Sequence, residues 1–481
     1  DGRVKPLHPK VHAGILARRD KPEHLAQLEA QGIEPIDLVV INLYPFEATA
    51  AKPGVSLDEV IEQIDVGGPT MIRAAAKNWS SVAVVVEPGQ YAPVLDELKR
   101  GSGSLSERTR YELAREAFRR TAQYDAAIAA YLRESGTRAS PRPTGEPGAR
   151  TGVRPAPAPD KLPAVLRIEA QQAQSLRYGE NPHQVAAFYR LASGQKLGLA
   201  AARQLAGPEL SYNNLLDFSA ALSLLLEFDD PAAVTIKHTN PCGVAVAESV
   251  GEAVRKAKAS DPVSIYGGIV GVNRTLDMEV VGALSGVLIE ILFAPAYDPA
   301  ALEELTRTKK KCRVLEVPCD RASLPETLWE YRSVLGGLLV QSADQADLDP
   351  ASLKVVSKRQ PTEGEWAALR FAWKLAKHVK SNAIVLATRD QLIGAGAGQM
   401  NRVDSSRLAV MRARANGLET QGSVCASDAF FPFRDGLDVV AEAGATAVIH
   451  PGGSLRDDEV IAAADQHGMA MVLTGLRHFR H

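Results

Sequence analysis

Lysine and histidine stand side by side in VTIKHTNPCG, residues 234–243, where an apolar run stops. His238 suits a general base, because an imidazole is half deprotonated near neutral pH. Lys237 beside it can hold a developing oxyanion, and its charge lowers the histidine's pKa. In a regular strand, neighbouring side chains point to opposite faces, so the two can meet one substrate only where the strand ends and the chain turns. Asn240-Pro241 and Gly243 are expected to supply that turn. In open α/β sheets, ligands bind beyond such carboxyl ends. A surface lysine beside a hydrogen-bonded structural histidine is the competing reading.

Other segments carry binding chemistry. In LRYGENPHQ (176–184), Arg177 suits a phosphate or carboxylate, since its planar guanidinium bonds two oxygens at once, and Tyr178 can stack on a ring. The alternative is a turn closed by Gly179 and Asn181-Pro182. ASDAFFPFRDG (426–436) sets Phe430 and Phe431 near Arg434 and Asp435, which suits a flat heterocycle with N–H donors or, equally, a core pair beside a surface ion pair. QMNRVDSSR (399–407) is expected to put Arg402 on a loop. HPGGS (450–454) precedes a helix, where free N–H groups and the helix dipole favour an anion or where Ser454 simply caps. LRHFRH (476–481) adds Arg477. Near the start, DGRVKPLHPKVH carries Arg3 and Lys5, and Tyr44, Asp65 and Lys77 follow at strand or helix ends. A Lys-Asp-Tyr group moves protons on a polar ring, yet each residue alone is equally a structural one.

The remaining composition narrows the class. GAGAGQ (394–399) has Gln399 where a dinucleotide fingerprint needs its last glycine, and GxxxxGK[ST], HExxH and GxSxG are absent. His450 and His478 make no metal set with the scattered cysteines. No nicotinamide, Walker-type ATP site or catalytic zinc is expected. A net charge of -2 gives no global field for nucleic acid or an anionic membrane. No apolar run approaches the ~18 residues of a membrane span. Four cysteines without a CxxC pair in 481 residues suggest a reducing cytoplasm. The opening residues lack both an initiator Met and the apolar stretch of a signal peptide, so the chain is expected to lack its natural start.

Short apolar strands alternate with helical periods, which predicts an α/β fold with a largely parallel sheet. DLVVINLYPF (37–46) and SVAVVVE (81–87) read as strands, and SLDEVIEQI (56–64) and PTMIRAAAKN (69–78) as helices. Later, AVTIKH, SNAIVLA, TAVIHP and MAMVLTG read as strands, with LDFSAALSLLLEF and DEVIAAADQHG as helices. Ser454 is the expected N-cap of the last helix. Residues 135–163, rich in Pro, Gly, Arg and Ala, read as a linker between domains at 1–134 and 164–481. IKHTN (236–240) and VKSN (379–382) are faintly alike, which suggests an internal duplication.

Taken together, DGRVKPLHPKVHAGILARR, INLYPF, QIDVGGPTMIRAAAKN, LRYGENPHQ, IKHTNPCGVA, VKSNAIVLA, GAGQMNRVDSSRLA, ASDAFFPFRDG, AVIHPGGSLRDDEVIAAADQHG and TGLRHFRH resemble, in order, the bifunctional AICAR transformylase and IMP cyclohydrolase family. The resemblance implies formyl transfer from 10-formyltetrahydrofolate to AICAR, giving FAICAR and tetrahydrofolate, then closure of FAICAR to IMP. It implies a methylglyoxal-synthase-like N-terminal domain, then two cytidine-deaminase-like subdomains without zinc, in a cytoplasmic homodimer with transformylase sites at the interface. His238 would be the base and Lys237 the oxyanion partner. Arg177, Tyr178, Gly267, Glu290 and Asn382 would hold AICAR, and Arg477 its phosphate. Arg402 and Val403 would meet the folate, with Phe430, Asp435, Ser454 and Leu455 lining the site. Lys77, Lys5, Tyr44 and Asp65 would close the ring, with Arg3 and Asn42 on the nucleotide. The family carries about 60 residues before DGRVK, an estimate that brings the first domain nearer the usual size. The first domain is therefore expected to be incomplete, with a monofunctional transformylase as the alternative reading. Pro6 stands where the family usually has threonine and removes a backbone donor and a hydroxyl.

Overall fold

The computed structural model describes residues 7–52, 54–138, 162–163, 165–166, 168–191, 198–321, 324–325 and 327–481. The candidates Arg3 and Lys5, and Pro6, lie outside them. The chain divides into two compact units, Asp1–Val153 and Arg154–His481.

The first unit runs α1 (Pro9–Leu16), α2 (Pro22–Ala30), β1 (Leu38–Val40), α3 (Phe46–Ala50), α4 (Leu57–Ile61), α5 (Gly67–Lys77), β2 (Ala83–Val85), α6 (Tyr91–Arg100) and α7 (Glu107–Arg138). β1 and β2 pair in parallel, as expected of strands joined by helical crossovers. α4 starts on a capping box in which Ser56 and Glu59 satisfy each other's backbone N–H. Ile72, Ala75 and Ala76 of α5 pack under Val82 and Val84. α7 takes in the first four positions, 135–138, of the expected linker.

The second unit opens with a hairpin, β3 (Ala170–Leu176) and β4 (Ala186–Leu191). Its first half then runs β5 (Arg203–Ala206), α8 (Tyr212–Leu225), β6 (Ala232–Lys237), β7 (Asn240–Val246), α9 (Val250–Ser260), β8 (Gly268–Val272), α10 (Met278–Ala283), β9 (Ile289–Ala294), α11 (Pro299–Thr308) and β10 (Arg313–Glu316). An exposed hairpin, β11 (Trp329–Val334) and β12 (Gly337–Ser342), follows. The second half runs β13 (Lys354–Val355), α12 (Glu363–Ala376), β14 (Ile384–Ala387), β15 (Leu392–Gly396), α13 (Arg402–Ala415), β16 (Val424–Ser427), α14 (Asp435–Glu442), β17 (Ala447–His450), α15 (Asp457–Gln466) and β18 (Ala470–Leu473).

The two halves repeat one topology. Their sheets are ordered β5-β10-β9-β8-β6-β7 and β13-β18-β17-β16-β14-β15. In each, three parallel strands sit at the centre and antiparallel strands flank them. α8 and α12 share the layer between the sheets, where Phe218, Leu225, Phe371 and Trp373 form one core with both sheets. α9, α10 and α11 cover the outer face of the first sheet, and α13, α14 and α15 that of the second. Strands covered on both faces must be apolar throughout, which explains why AVTIKH and SNAIVLA read as short continuous runs. The likeness of IKHTN to VKSN does not mark this repeat. The first spans the β6–β7 turn, and the second lies between α12 and β14. The counterpart of the β6–β7 turn is residues 388–391.

Candidate active site

β6 ends at Lys237, and β7 begins at Asn240, its pairing partner. The turn is therefore His238-Thr239 itself, two residues earlier than expected, and Asn240-Pro241 already belongs to the returning strand. Both turn residues are left-handed, with φ of 51° and 62°. Positive φ at both central positions is the two-residue hairpin geometry that matches strand twist. It costs roughly 1–2 kcal/mol for each residue with a Cβ, and a β-branched threonine is the least suited of all. Such strain concentrates at functional sites.

The turn projects the His238 side chain into solvent, while Lys237 is half-buried. Lys237 Nζ donates to Gly267 O at 2.8 Å and to Tyr266 O at 3.1 Å. Gly267 has a φ of +67°, and a Cβ there would stand 3.1 Å from that ammonium and 4.0 Å from Glu290 Oε1. A side chain at 267 would thus narrow the gap between Lys237 and Glu290. Glu290 is the one exposed position of β9, and its Oε2 accepts from Asn214 Nδ2 at 2.8 Å. Asn214 also completes a capping box with Ser211 at the start of α8.

β8, β9 and β10 all begin on the edge where β6 ends. With strands about 4.8 Å apart, that edge spans roughly 14 Å from Lys237 to Arg313. At its far end a cavity of about 270 Å³ is lined by Arg177, Tyr178, Pro208–Ser211 and Arg313. Arg177 stacks on Tyr178, its guanidinium carbon 4.8 Å from the ring centroid, and donates to the phenol oxygen at 3.1 Å. Both residues sit in the loop joining β3 to β4, which is tied to α8 by Asn213 Nδ2 donating to Glu180 O.

The remaining candidates of the second unit gather on one edge of the second sheet. Asn382 precedes β14, Arg402 and Val403 follow β15, Phe430 and Asp435 follow β16, Ser454 and Leu455 follow β17, and Arg477 follows β18. Phe430, Asp435, Leu455 and Arg477 are exposed, and Arg477 lies over Phe479 at 4.4 Å. The two edges meet where Asn240 Oδ1 accepts the backbone N–H of Lys380 at 3.0 Å.

Arg402 is not on a loop. It is the first residue of α13, capped by Asn401, and its side chain is buried against Asp428 and Ser427. Arg402 Nη2 also donates to Asn382 Oδ1 at 2.8 Å, and Asn382 Nδ2 donates to Gln399 O at 3.0 Å. Arg402 thus orients Asn382 from beneath. Nor is Ser454 the cap of α15, because that helix begins at Asp457 with Arg456 as N-cap. The N–H groups of Gly452 and Gly453, expected to bind an anion, donate to His450 Nδ1 and Asp457 Oδ2 instead. Burial pushes the His450 imidazole down to about 3, so it is neutral and free to accept. Arg434 pairs with Asp438 rather than Asp435, and of the paired phenylalanines only Phe431 is in the core.

Behind this edge, burial works against a charged Glu227. Hydrogen bonds from His378 and Lys377, with the Lys377 charge, outweigh it and hold the carboxyl down to about 2. Lys377 Nζ donates to Glu227 Oε1 at 2.9 Å. Burial keeps His378 neutral, so its Nε2–H donates to Glu227 while Nδ1 accepts from Arg480. The pair anchors residues 377–378 just ahead of Asn382.

In the first unit Tyr44, Asp65 and Lys77 lie at element ends, after β1, before α5 and at the end of α5. Asp65 Oδ1 accepts from Gly68 N at 2.7 Å at the start of α5, a capping role. A Cβ at Gly68 would fall 2.4 Å from Asp65 Oδ2, so only glycine allows that approach. Lys77 is the exposed last residue of the same helix, roughly 15 Å away at 1.5 Å rise per residue. Tyr44 is exposed after β1, and Asn42 Nδ2 donates to Tyr91 OH at 2.7 Å.

One residue of the site escaped the sequence reading. Asp217 on α8 accepts the backbone N–H of Thr239 at 2.7 Å. Its only signal was an acidic residue inside the apolar run LLDFSAAL, three positions after Asn214.

Among the described residues, no helix is long and apolar enough to cross a membrane, and no group of three or more His, Cys, Asp or Glu is placed to hold a metal ion. All four cysteines are free. Comparison with known proteins gives an MGS-like domain match over residues 1–70 and an AICARFT/IMPCHase bienzyme match over residues 75–412. A solved chain titled "Crystal structure of ForH" is 38% identical over 27% of this chain and 68% of its own, with a TM-score of 0.24. The bienzyme match spans more than half of the sequence, and this chain belongs to the AICARFT/IMPCHase bienzyme family of purine biosynthesis.

Proposed function

We propose that the second unit transfers the formyl group of 10-formyltetrahydrofolate to AICAR, and that the first unit closes the FAICAR so formed to IMP. The observation that carries the first step is the Lys237-His238 tip, with a solvent-facing imidazole beside an ammonium fixed on two carbonyls. AICAR would lie along the edge of the first sheet, with its phosphate at Arg177 and its ribose towards Glu290. Arg477, on the edge of the second sheet, is the other phosphate ligand of this reading. Asn382 would orient the carboxamide and formyl group. The flat folate ring suits the exposed Phe430 and Leu455, with Val403, Asp435 and Ser454 around it.

The amine nitrogen of AICAR attacks the formyl carbon, forming a C–N bond, while Lys237 balances the oxyanion. His238 removes the amine proton as the bond forms. Collapse breaks the bond to N10 of the folate, which takes up a proton and leaves as tetrahydrofolate. In ring closure the carboxamide nitrogen attacks the formamide carbon and water departs. Lys77 is the proton carrier of this reading, with Tyr44 and Asp65 orienting the groups, in a two-site homodimer. Incubating the chain with AICAR and 10-formyltetrahydrofolate, and separating products over time, tests the reading. Equal yields of FAICAR and tetrahydrofolate, then IMP faster than spontaneous closure, are expected. No formyl transfer from folded protein that binds both substrates contradicts it.

A further inference from the structure

Two polar side chains of α8, one turn apart, face the edge that carries Lys237. Asn214 holds Glu290, and Asp217 holds the turn through Thr239 N. The turn needs an external constraint, because His238 and Thr239 are both left-handed without being glycine. Asn240 braces it from the other side by donating to His238 O at 3.1 Å. We propose that Asp217 is a positioning residue of formyl transfer, whose carboxylate keeps the His238-Thr239 turn in shape and balances the imidazolium formed when His238 takes the substrate's proton. The inference rests on the reading of His238 as the base.

The surroundings of Asp217 fit this role. Burial raises its pKa, and the nearby His238 and Lys237 act against the rise. Of the elements packed on α8, the β6–β7 turn brings Lys237 and His238, and β9 brings Glu290. β4 carries Tyr189 and Arg190, both exposed, and Cys242 of β7 bonds Thr235 on the face that α9 covers. Glu290 is already held by Asn214, which leaves Asp217 as the carboxylate committed to the turn. When His238 accepts a proton, a charge appears beside Asp217 and is compensated without reorganisation.

Asp217→Asn keeps an acceptor for Thr239 N–H and removes the charge, and Asp217→Ala removes both. With the full chain, kcat and both KM values are measured. For Asp217→Asn, a fall in kcat of about 10–100-fold with KM values within about threefold is expected, because a preorganised charge that acts on the transition state is lost. Without the carboxylate, the imidazolium formed in the transition state loses its preorganised opposite charge, so the loss falls on kcat and not on substrate binding. Asp217→Ala loses more. Adding Thr239→Gly to it, which accepts positive φ freely, recovers the rate towards that of Asp217→Asn but no further, because the charge is still missing. Wild-type kcat in a folded Asp217→Asn enzyme overturns the inference, as does a double variant no faster than Asp217→Ala. Should His238→Ala keep wild-type transfer, the reading beneath it fails instead.

Discussion

Asn240 Oδ1 accepts the backbone N–H of Lys380 across 140 residues of sequence, at 3.0 Å. This bond joins the tip of the first half's hairpin to the segment that carries Asn382 in the second. The halves share a topology yet meet asymmetrically, the first contributing the amino ends of its parallel strands and the second the carboxyl ends. Asn240→Ala removes this bond and the one to His238 O. Formyl transfer should fall about 10–100-fold through misplacement of base and nucleotide. Stability should fall by only about 1–3 kcal/mol, the usual cost of such bonds. Steady-state kinetics beside denaturant unfolding separate the two effects.

Arg402 and Asp428 form a buried ion pair beneath Asn382. Removing one partner of such a pair leaves an uncompensated buried charge and costs about 3–5 kcal/mol. Arg402→Ala should lower the midpoint of unfolding accordingly. Arg402→Lys should restore little, since one ammonium cannot reach Asp428 and Asn382 as the guanidinium fork does. An Arg402→Ala protein that unfolds like wild type would remove this residue from the scaffold.

Glu227 titrates near 2 in the folded chain, below the ordinary glutamate value of about 4.3. A depressed folded pKa stabilises above the unfolded value and is lost as pH falls through the folded one. Glu227 should therefore contribute on the order of 3 kcal/mol above about pH 5, fading between about pH 4.5 and 2. Glu227→Gln should unfold more easily at neutral pH, and its difference from wild type should shrink over that interval. Unfolding free energies at several pH values check this.

Lys77 is exposed at the end of α5, so Lys77→Ala should change stability by no more than about 0.5 kcal/mol. If it carries protons in ring closure, conversion of supplied FAICAR to IMP should fall about 100-fold or more, with formyl transfer retained. Undiminished closure would show that a different group moves the proton.

The strands were legible because burial on both faces leaves unmistakable apolar runs, as in β6, β14, β17 and β18. Lys237 and His238 were legible because they interrupt such a run. Asp217 was not, since α8 carries it inside a period that otherwise reads as core. The sequence points Arg402 to a loop because the preceding glycines outweigh the cap that Asn401 makes on Asp404 N. Its partner Asp428 is 26 residues away and joined only by the tertiary fold. The duplication lies in strand order and direction, which sequence likeness between two short segments does not report.

His238→Ala tests the central claim most directly, by single-turnover formyl transfer in protein shown to fold and to bind AICAR and folate as wild type does. The exposed imidazole can be removed with little structural loss, so the account predicts unchanged binding and a rate lower by about 100–10,000-fold. Transfer at the wild-type rate would contradict it and move the chemistry away from the Lys237-His238 tip.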